Sequence, residues 1–151
     1  MLTGNPGPLP SRAAHLFVTD CLALNPDESL LVTAGMLIEP EGGGGTYDRF
    51  RNRVIFPIQD RRGRVIAFGG RALGEAQAKY LNSPETPLFN KSKVIYGLDK
   101  ARRPIIAAES ALICEGQLDT IACHMAGIEN VVAPQGTALT ADHARVLKRY
   151  A

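Results

Sequence analysis

Glu115-Gly116-Gln117-Leu118-Asp119 is the stretch of this 151-residue sequence whose residue types and spacing best fit chemistry. An apolar run, Ser110 to Cys114, leads into it; apolar residues at helical spacing (Leu118, Ile121, Ala122, Met125) follow as far as Gly127, and a second apolar run spans Asn130 to Ala133. The pattern predicts a βαβ unit with two parallel, buried strands and a right-handed crossover. Glu115 then sits at the carboxyl end of a strand, on the turn into a helix, where open α/β sheets bind ligands. Gly116 lets a phosphate or a metal-bound substrate approach the backbone, and the helix N-terminus adds positive potential toward anions. Glu115 and Asp119 are therefore the candidate catalytic carboxylates. For Asp119 a simpler reading stands alongside: an acid in a first helical turn stabilises the helix dipole by about 0.3–1 kcal/mol whatever else it does.

Other reactive side chains are less well arranged. His124 and His143 have no Cys or His at ligand spacing and read as structural or surface residues rather than zinc ligands. Cys21, Cys114 and Cys123 form no CxxC pair and read as small buried residues of a reducing compartment. Cys114, next to Glu115, is expected to pack, although a thiol at that position would make any activity there oxidation-sensitive. The charge is more informative. Residues 1–48 hold one Arg against six acids, residues 49–103 hold thirteen Lys and Arg against four acids, and residues 104–151 hold three bases against five acids. A basic middle followed by an acidic segment suits a polyanion-binding surface leading into a cation site, although the run Asp60-Arg61-Arg62-Gly63-Arg64 reads better as a solvated turn between strands.

The elements that must position these residues follow from composition and pattern. Residues 1–10 are a Gly- and Pro-rich tail, Ser11 to Leu24 a weakly amphipathic helix, and Pro26-Asp27-Glu28 opens a second helix ending near Ala34 with Gly35 as its stop. Met36-Leu37-Ile38 is a short strand before a turn at Gly42 to Gly45. Residues 53–58 and 64–71 form an antiparallel hairpin about Asp60 to Gly63, and Gly69-Gly70 marks a close approach to the backbone or a bulge. Residues 79–92 read as a loop rich in functional side chains. Thr140 or Thr137 caps a final helix over Ala141 to Tyr150. No apolar run approaches the ~18 residues of a membrane span, and the first ten residues do not form a secretory signal, which leaves the cytoplasm as the expected compartment.

Taken in order, Tyr47-Asp48-Arg49-Phe50-Arg51, Val54 to Asp60, Gly63 to Arg71, Lys79-Tyr80-Leu81-Asn82-Ser83-Pro84-Glu85-Thr86, Phe89-Asn90-Lys91 and Tyr96-Gly97-Leu98 closely resemble the catalytic core of bacterial DnaG-type DNA primases. Glu115 to Asp119, with Val132 to Thr140, resembles the opening of that family's TOPRIM module. The likeness runs from about Gly35 to Tyr150. It implies an α+β primase-core subdomain with antiparallel hairpins, followed by an α/β, Rossmann-like TOPRIM unit. The expected division is a helical N-terminal segment at 1–34, a basic core subdomain at 35–103 and a partial TOPRIM domain at 104–151.

The resemblance implies a DNA-directed RNA polymerase, a nucleotidyltransferase of DNA replication that copies single-stranded DNA by joining ribonucleoside triphosphates into a short RNA primer with Mg2+ or Mn2+. Glu115 would be the TOPRIM glutamate, a metal ligand or general acid/base at the reacting phosphate, whose Asp-x-Asp partner does not occur in this sequence. Arg71, Lys79 and Lys91 match positions lining the groove for nucleotide and template, and Tyr80 and Asn82 belong to the same loop. Arg suits bidentate phosphate contact, Lys a point charge, and a tyrosine face stacks on any base. Arg49 and Arg51 either share that groove or only orient the strand they precede. The family's zinc-binding module and helicase-interaction region, hence the replicative helicase as partner, find no match here. The chain is expected to be a fragment that makes no primer by itself. Two other readings stay open: a non-catalytic single-stranded nucleic-acid-binding module, and another TOPRIM enzyme of nuclease or topoisomerase type.

Overall fold

A computed structural model describes residues 27–75 and 77–151. The expected helix over Ser11 to Leu24, the Gly- and Pro-rich tail and Cys21 lie outside the described residues. The chain forms two units, one comprising residues 1–55 and 70–81, the other 56–69 and 82–151.

In the first unit, helix α1 (Glu28–Thr33) starts at Asp27, whose carboxylate accepts the Ser29 N–H at 3.1 Å. Strand β1 (Leu37–Ile38) pairs antiparallel with β2 (Tyr47–Asp48), Leu37 facing Asp48 in register. Leu31, Met36, Leu37 and Phe50 are its buried apolar residues. The Asp48 carboxylate then turns the chain by accepting the Phe50 N–H at 2.8 Å.

Strands β3 (Arg53–Gln59), β4 (Val65–Ala72) and β5 (Tyr80–Asn82) form a three-stranded sheet in that order. The expected hairpin is present. β5, however, lies inside the segment read as a loop. Its three residues are too few to show a period against the Asn, Ser and Pro that follow, and backbone bonds from Ala72 N–H to Lys79 C=O (2.9 Å) and from Ser83 N–H to Phe68 C=O (2.8 Å) fix it to β4. Ile58 and Ala67 meet Phe89, and the three are buried together.

Helix α2 (Leu98–Ala108) was not anticipated, because Pro104 in its interior reads as a breaker that costs about 3 kcal/mol. The apolar spacing of Leu98, Ala101 and Ile105 prevails: all three are buried with Ile95, Val132 and Leu147. The helix enters through Gly97, whose φ of 78° favours glycine and whose absent side chain leaves room for the Thr120 methyl.

The βαβ unit is present as β6 (Leu112–Ile113), α3 (Gln117–Met125) and β7 (Val131–Val132), with Leu112 beside Val131 and Ile113 beside Val132 in a parallel pair. Of the two strands expected to be buried, β7 is and β6 is not. Val131 and Val132 are each 1% exposed, Val132 packed in the core with Ile95, Leu98, Ala101, Ile105 and Leu147, and Tyr96 bridges to Ala133 just after β7. Leu112 and Ile113 are 50% and 45% exposed, since β6 pairs only with β7 among the described residues. Helix α4 (Ala141–Leu147) is capped by Thr140 and is shorter than expected, its last turn loosening from Lys148. No helix among the described residues is long and apolar enough to cross a membrane.

Candidate functional site

Within the first unit the basic candidates gather around aromatic rings. Arg71, near the end of β4, holds its guanidinium carbon 5.7 Å from the centroid of the Tyr80 ring, within cation–π range. Arg51 does the same over Tyr47 at 4.4 Å. Tyr80 is 54% exposed, so its ring is not core. Lys79 beside it is exposed, and the segment leading into β5 is held by Arg53, which donates to the Ala78 carbonyl at 2.7 Å and the Lys79 carbonyl at 3.4 Å. Arg49 is fixed at its backbone, its N–H donating to the Met36 carbonyl at 3.0 Å, while its Nε is a buried donor with no partner among the described residues.

In the second unit Glu115 follows β6 and is exposed, on the turn into α3. Gly116 caps that helix without a side-chain bond; instead the Thr120 N–H and Oγ1 both donate to the Gly116 carbonyl, at 3.2 and 3.1 Å. Asp119 occupies the first turn, and its Oδ2 would lie 3.4 Å from a side-chain carbon placed at Gly116. Both carboxylates therefore border one turn.

Asn82 is drawn into an amide cluster. Its Nδ2 donates to the Gln135 carbonyl at 3.3 Å, and the Gln117 Nε2 donates to Gln135 Oε1 at 2.9 Å and to Asn82 Oδ1 at 3.5 Å. Gln135 is 1% exposed, yet its Nε2 has no partner among the described residues. The cluster explains Gly69: a Cβ there would come under 3.0 Å from both the Gln117 amide and Asn82 Oδ1. Of the two readings of the glycine pair, close approach is the one observed. Gln117 and Gln135 were not singled out from the sequence. The available signal was a polar residue two positions after the buried run Val131 to Ala133.

Lys91 stands apart from that cluster. Its N–H donates to Glu85 Oε1 at 2.9 Å, and its carbonyl accepts from His143 Nε2 at 3.0 Å. Because His143 Nδ1 accepts the Thr140 N–H at 3.2 Å, the ring is the neutral tautomer with its proton on Nε2. His124 donates from Nε2 to the Val131 carbonyl at 2.8 Å. Both histidines thus have structural partners. Cys114 and Cys123 bring their sulfurs to 4.0 Å, and burial first, then the neighbouring thiol, raises the Cys114 pKa.

Glu115 and Asp119 offer hard carboxylate oxygens of the kind Mg2+ takes. Among the described residues, though, no three His, Cys, Asp or Glu side chains converge on one point, so the groups present do not make up a metal shell.

Comparison with known proteins places this arrangement. Residues 11–102 match the family described as DNA primase catalytic core, N-terminal domain, and residues 109–151 match the Toprim domain. The chain is 51% identical over 118 residues to a DNA primase of Halalkalibacterium halodurans, covering 78% of this chain and 20% of that protein. It resembles the crystal structure of a DNA primase domain from Pseudomonas aeruginosa with a TM-score of 0.78 and 46% identity, over 85% of this chain and 42% of that one. It also resembles a DnaG primase catalytic domain bound to single-stranded DNA, with a TM-score of 0.76 and 46% identity, over 88% of this chain and 41% of that one. The chain thus spans about a fifth of the length of the curated relative it matches.

Proposed function

The chain belongs to the DnaG-type DNA primase family, and from that premise we propose that its basic segment holds single-stranded DNA template and incoming ribonucleoside triphosphate for RNA primer synthesis at the replication fork. One observation carries this reading: the half-exposed Tyr80 ring has the Arg71 guanidinium carbon 5.7 Å from its centroid and the exposed Lys79 beside it, in a stretch with a large basic excess. An exposed ring accepts a stacked base without regard to sequence, and the flanking cations meet the phosphates. In the first unit Arg49 Nε, a buried donor without a partner among the described residues, is a further group for a polar ligand to satisfy. Asn82, fixed by Gln117, presents its amide from a set position. Lys91 adds a charge on a backbone anchored by His143.

Glu115 is the carboxylate for the reacting phosphate, and it would give one oxygen to the Mg2+ or Mn2+ that the family uses. Asp119 borders the same turn, with the helix-dipole role as its minimum. Since the 151 residues contain no Asp-x-Asp, template holding and nucleotidyl transfer are separable in this chain. It should bind DNA and make no primer.

The test is a fluorescence anisotropy titration with a labelled single-stranded oligonucleotide at low salt. Loss of one stacked base is worth about 1–3 kcal/mol, so Tyr80→Ala should weaken binding roughly five-fold or more, and Tyr80→Phe much less. No binding by the unaltered chain, or equal affinity in Tyr80→Ala, overturns the proposal.

A further inference from the structure

Cys114 and Cys123 are nine positions apart, on opposite sides of the turn that carries Glu115. Cys114 is the last residue before the glutamate, and its N–H is tied to β7 through the Val132 carbonyl at 2.8 Å. Cys123 lies in the second half of α3. Their sulfurs are 4.0 Å apart, both residues are free thiols, and both are partly exposed. A disulfide requires about 2.05 Å between sulfurs, so the two sulfurs must close by about 2 Å to form the bond. No other pair of cysteines exists among the described residues.

We propose that Cys114 and Cys123 form a redox modification site, at which a hydroperoxide converts the two thiols into one intramolecular disulfide that ties the Glu115 turn to helix α3. The chemistry balances. One sulfur takes the terminal peroxide oxygen, becoming a sulfenic acid and releasing water from hydrogen peroxide. The other sulfur displaces that oxygen as a second water, so two thiols are oxidised by two electrons and one peroxide is reduced. The bond closes a ring containing Glu115, Gly116 and the first turns of α3. It thereby removes freedom from the backbone of Glu115 and of Gly116, the helix N-cap, which has no side chain of its own to fix it. A thiol reductant reverses it. The inference rests on the two sulfurs and is independent of the role proposed for Glu115.

The experiment uses the 151-residue chain with Cys21→Ser, leaving the pair as its only thiols, treated with hydrogen peroxide and digested without reduction. The expected product is a Cys114–Cys123 cross-linked peptide two hydrogens lighter than its parts, lost on treatment with dithiothreitol. Met125, 85% exposed, gains oxygen separately and is resolved in the same map. Amide hydrogen exchange over residues 115–118 should slow several-fold in the oxidised chain. Separate sulfinic acids, intermolecular dimers or persistent free thiols overturn the site, and unchanged exchange overturns its action on the turn. Cys123→Ser must abolish the cross-link while leaving the circular dichroism spectrum unchanged.

Discussion

Asp60 organises the hairpin tip through one carboxylate. Its Oδ1 accepts the N–H groups of Arg62 at 2.8 Å and Arg64 at 3.0 Å, and its Oδ2 pairs with the Arg64 guanidinium at 2.6 Å. The Arg64 backbone N–H is the largest cause holding the Asp60 pKa below its usual 3.8; burial opposes it, and the Arg64 side chain and the Arg62 N–H add to it. A carboxyl with a depressed folded pKa contributes stability that is whole above the unfolded value and is lost as pH falls through the folded one. An NMR titration should therefore place the Asp60 midpoint below 3.8. Arg64→Ala should restore only part of the shift, because the backbone N–H remains. A midpoint at the usual value, or full recovery in Arg64→Ala, contradicts this account. The basic tip is thereby explained as turn chemistry, the plainer of its two readings.

At the scale of elements, Gly69 on β4 and Gln117 on α3 test whether the amide cluster is specified. Gly69→Ala places a methyl against the Gln117 amide and Asn82, an overpacking that costs about 1–3 kcal/mol. Adding Gln117→Ala should recover most of it, with a coupling of about 0.5–3 kcal/mol in urea unfolding; additive losses would contradict the contact. Thr140 is a second case. Its hydroxyl accepts the His143 N–H at 3.1 Å and donates to the Ser92 carbonyl at 2.8 Å, so Thr140→Ala should cost about 0.5–2 kcal/mol in the same assay. A loss below that range would show that His143 alone holds the helix start.

The same elements show what the sequence carries. The β3–β4 hairpin is legible because β-branched runs and an Asp-Arg-Arg-Gly turn are local signals. The Glu115 turn is legible because apolar runs bracket it. Helix α2 is hidden by Pro104 and by an N-cap glycine with no side chain to mark it. The amide cluster joins residues 18, 35 and 53 positions apart, a relation created only by folding. The Cys114 and Cys123 pair escapes notice for the same reason, since a strand-to-helix turn, not a CxxC spacing, unites it.

Over the whole molecule the formal charge of +2 conceals the features that matter: a strongly basic stretch from 49 to 103 and an acidic remainder on either side. Arg49, Arg51, Arg71, Lys79 and Tyr80 fall in the first unit, and Asn82, Lys91, Glu115 and Asp119 in the second, so neither unit holds the full set. The central claim is that the basic residues neutralise template phosphates, and counterion release measures that directly. For single strands the logarithm of the binding constant falls against the logarithm of salt with a slope of about −0.7 per phosphate contact. The decisive measurement compares this slope for the unaltered chain and for Arg71→Ala with Lys79→Ala on one oligonucleotide. The account predicts tight, salt-sensitive binding and a slope shallower by about 1.4 in the double variant. Binding that ignores salt, or a slope unchanged by removing both cations, would contradict it.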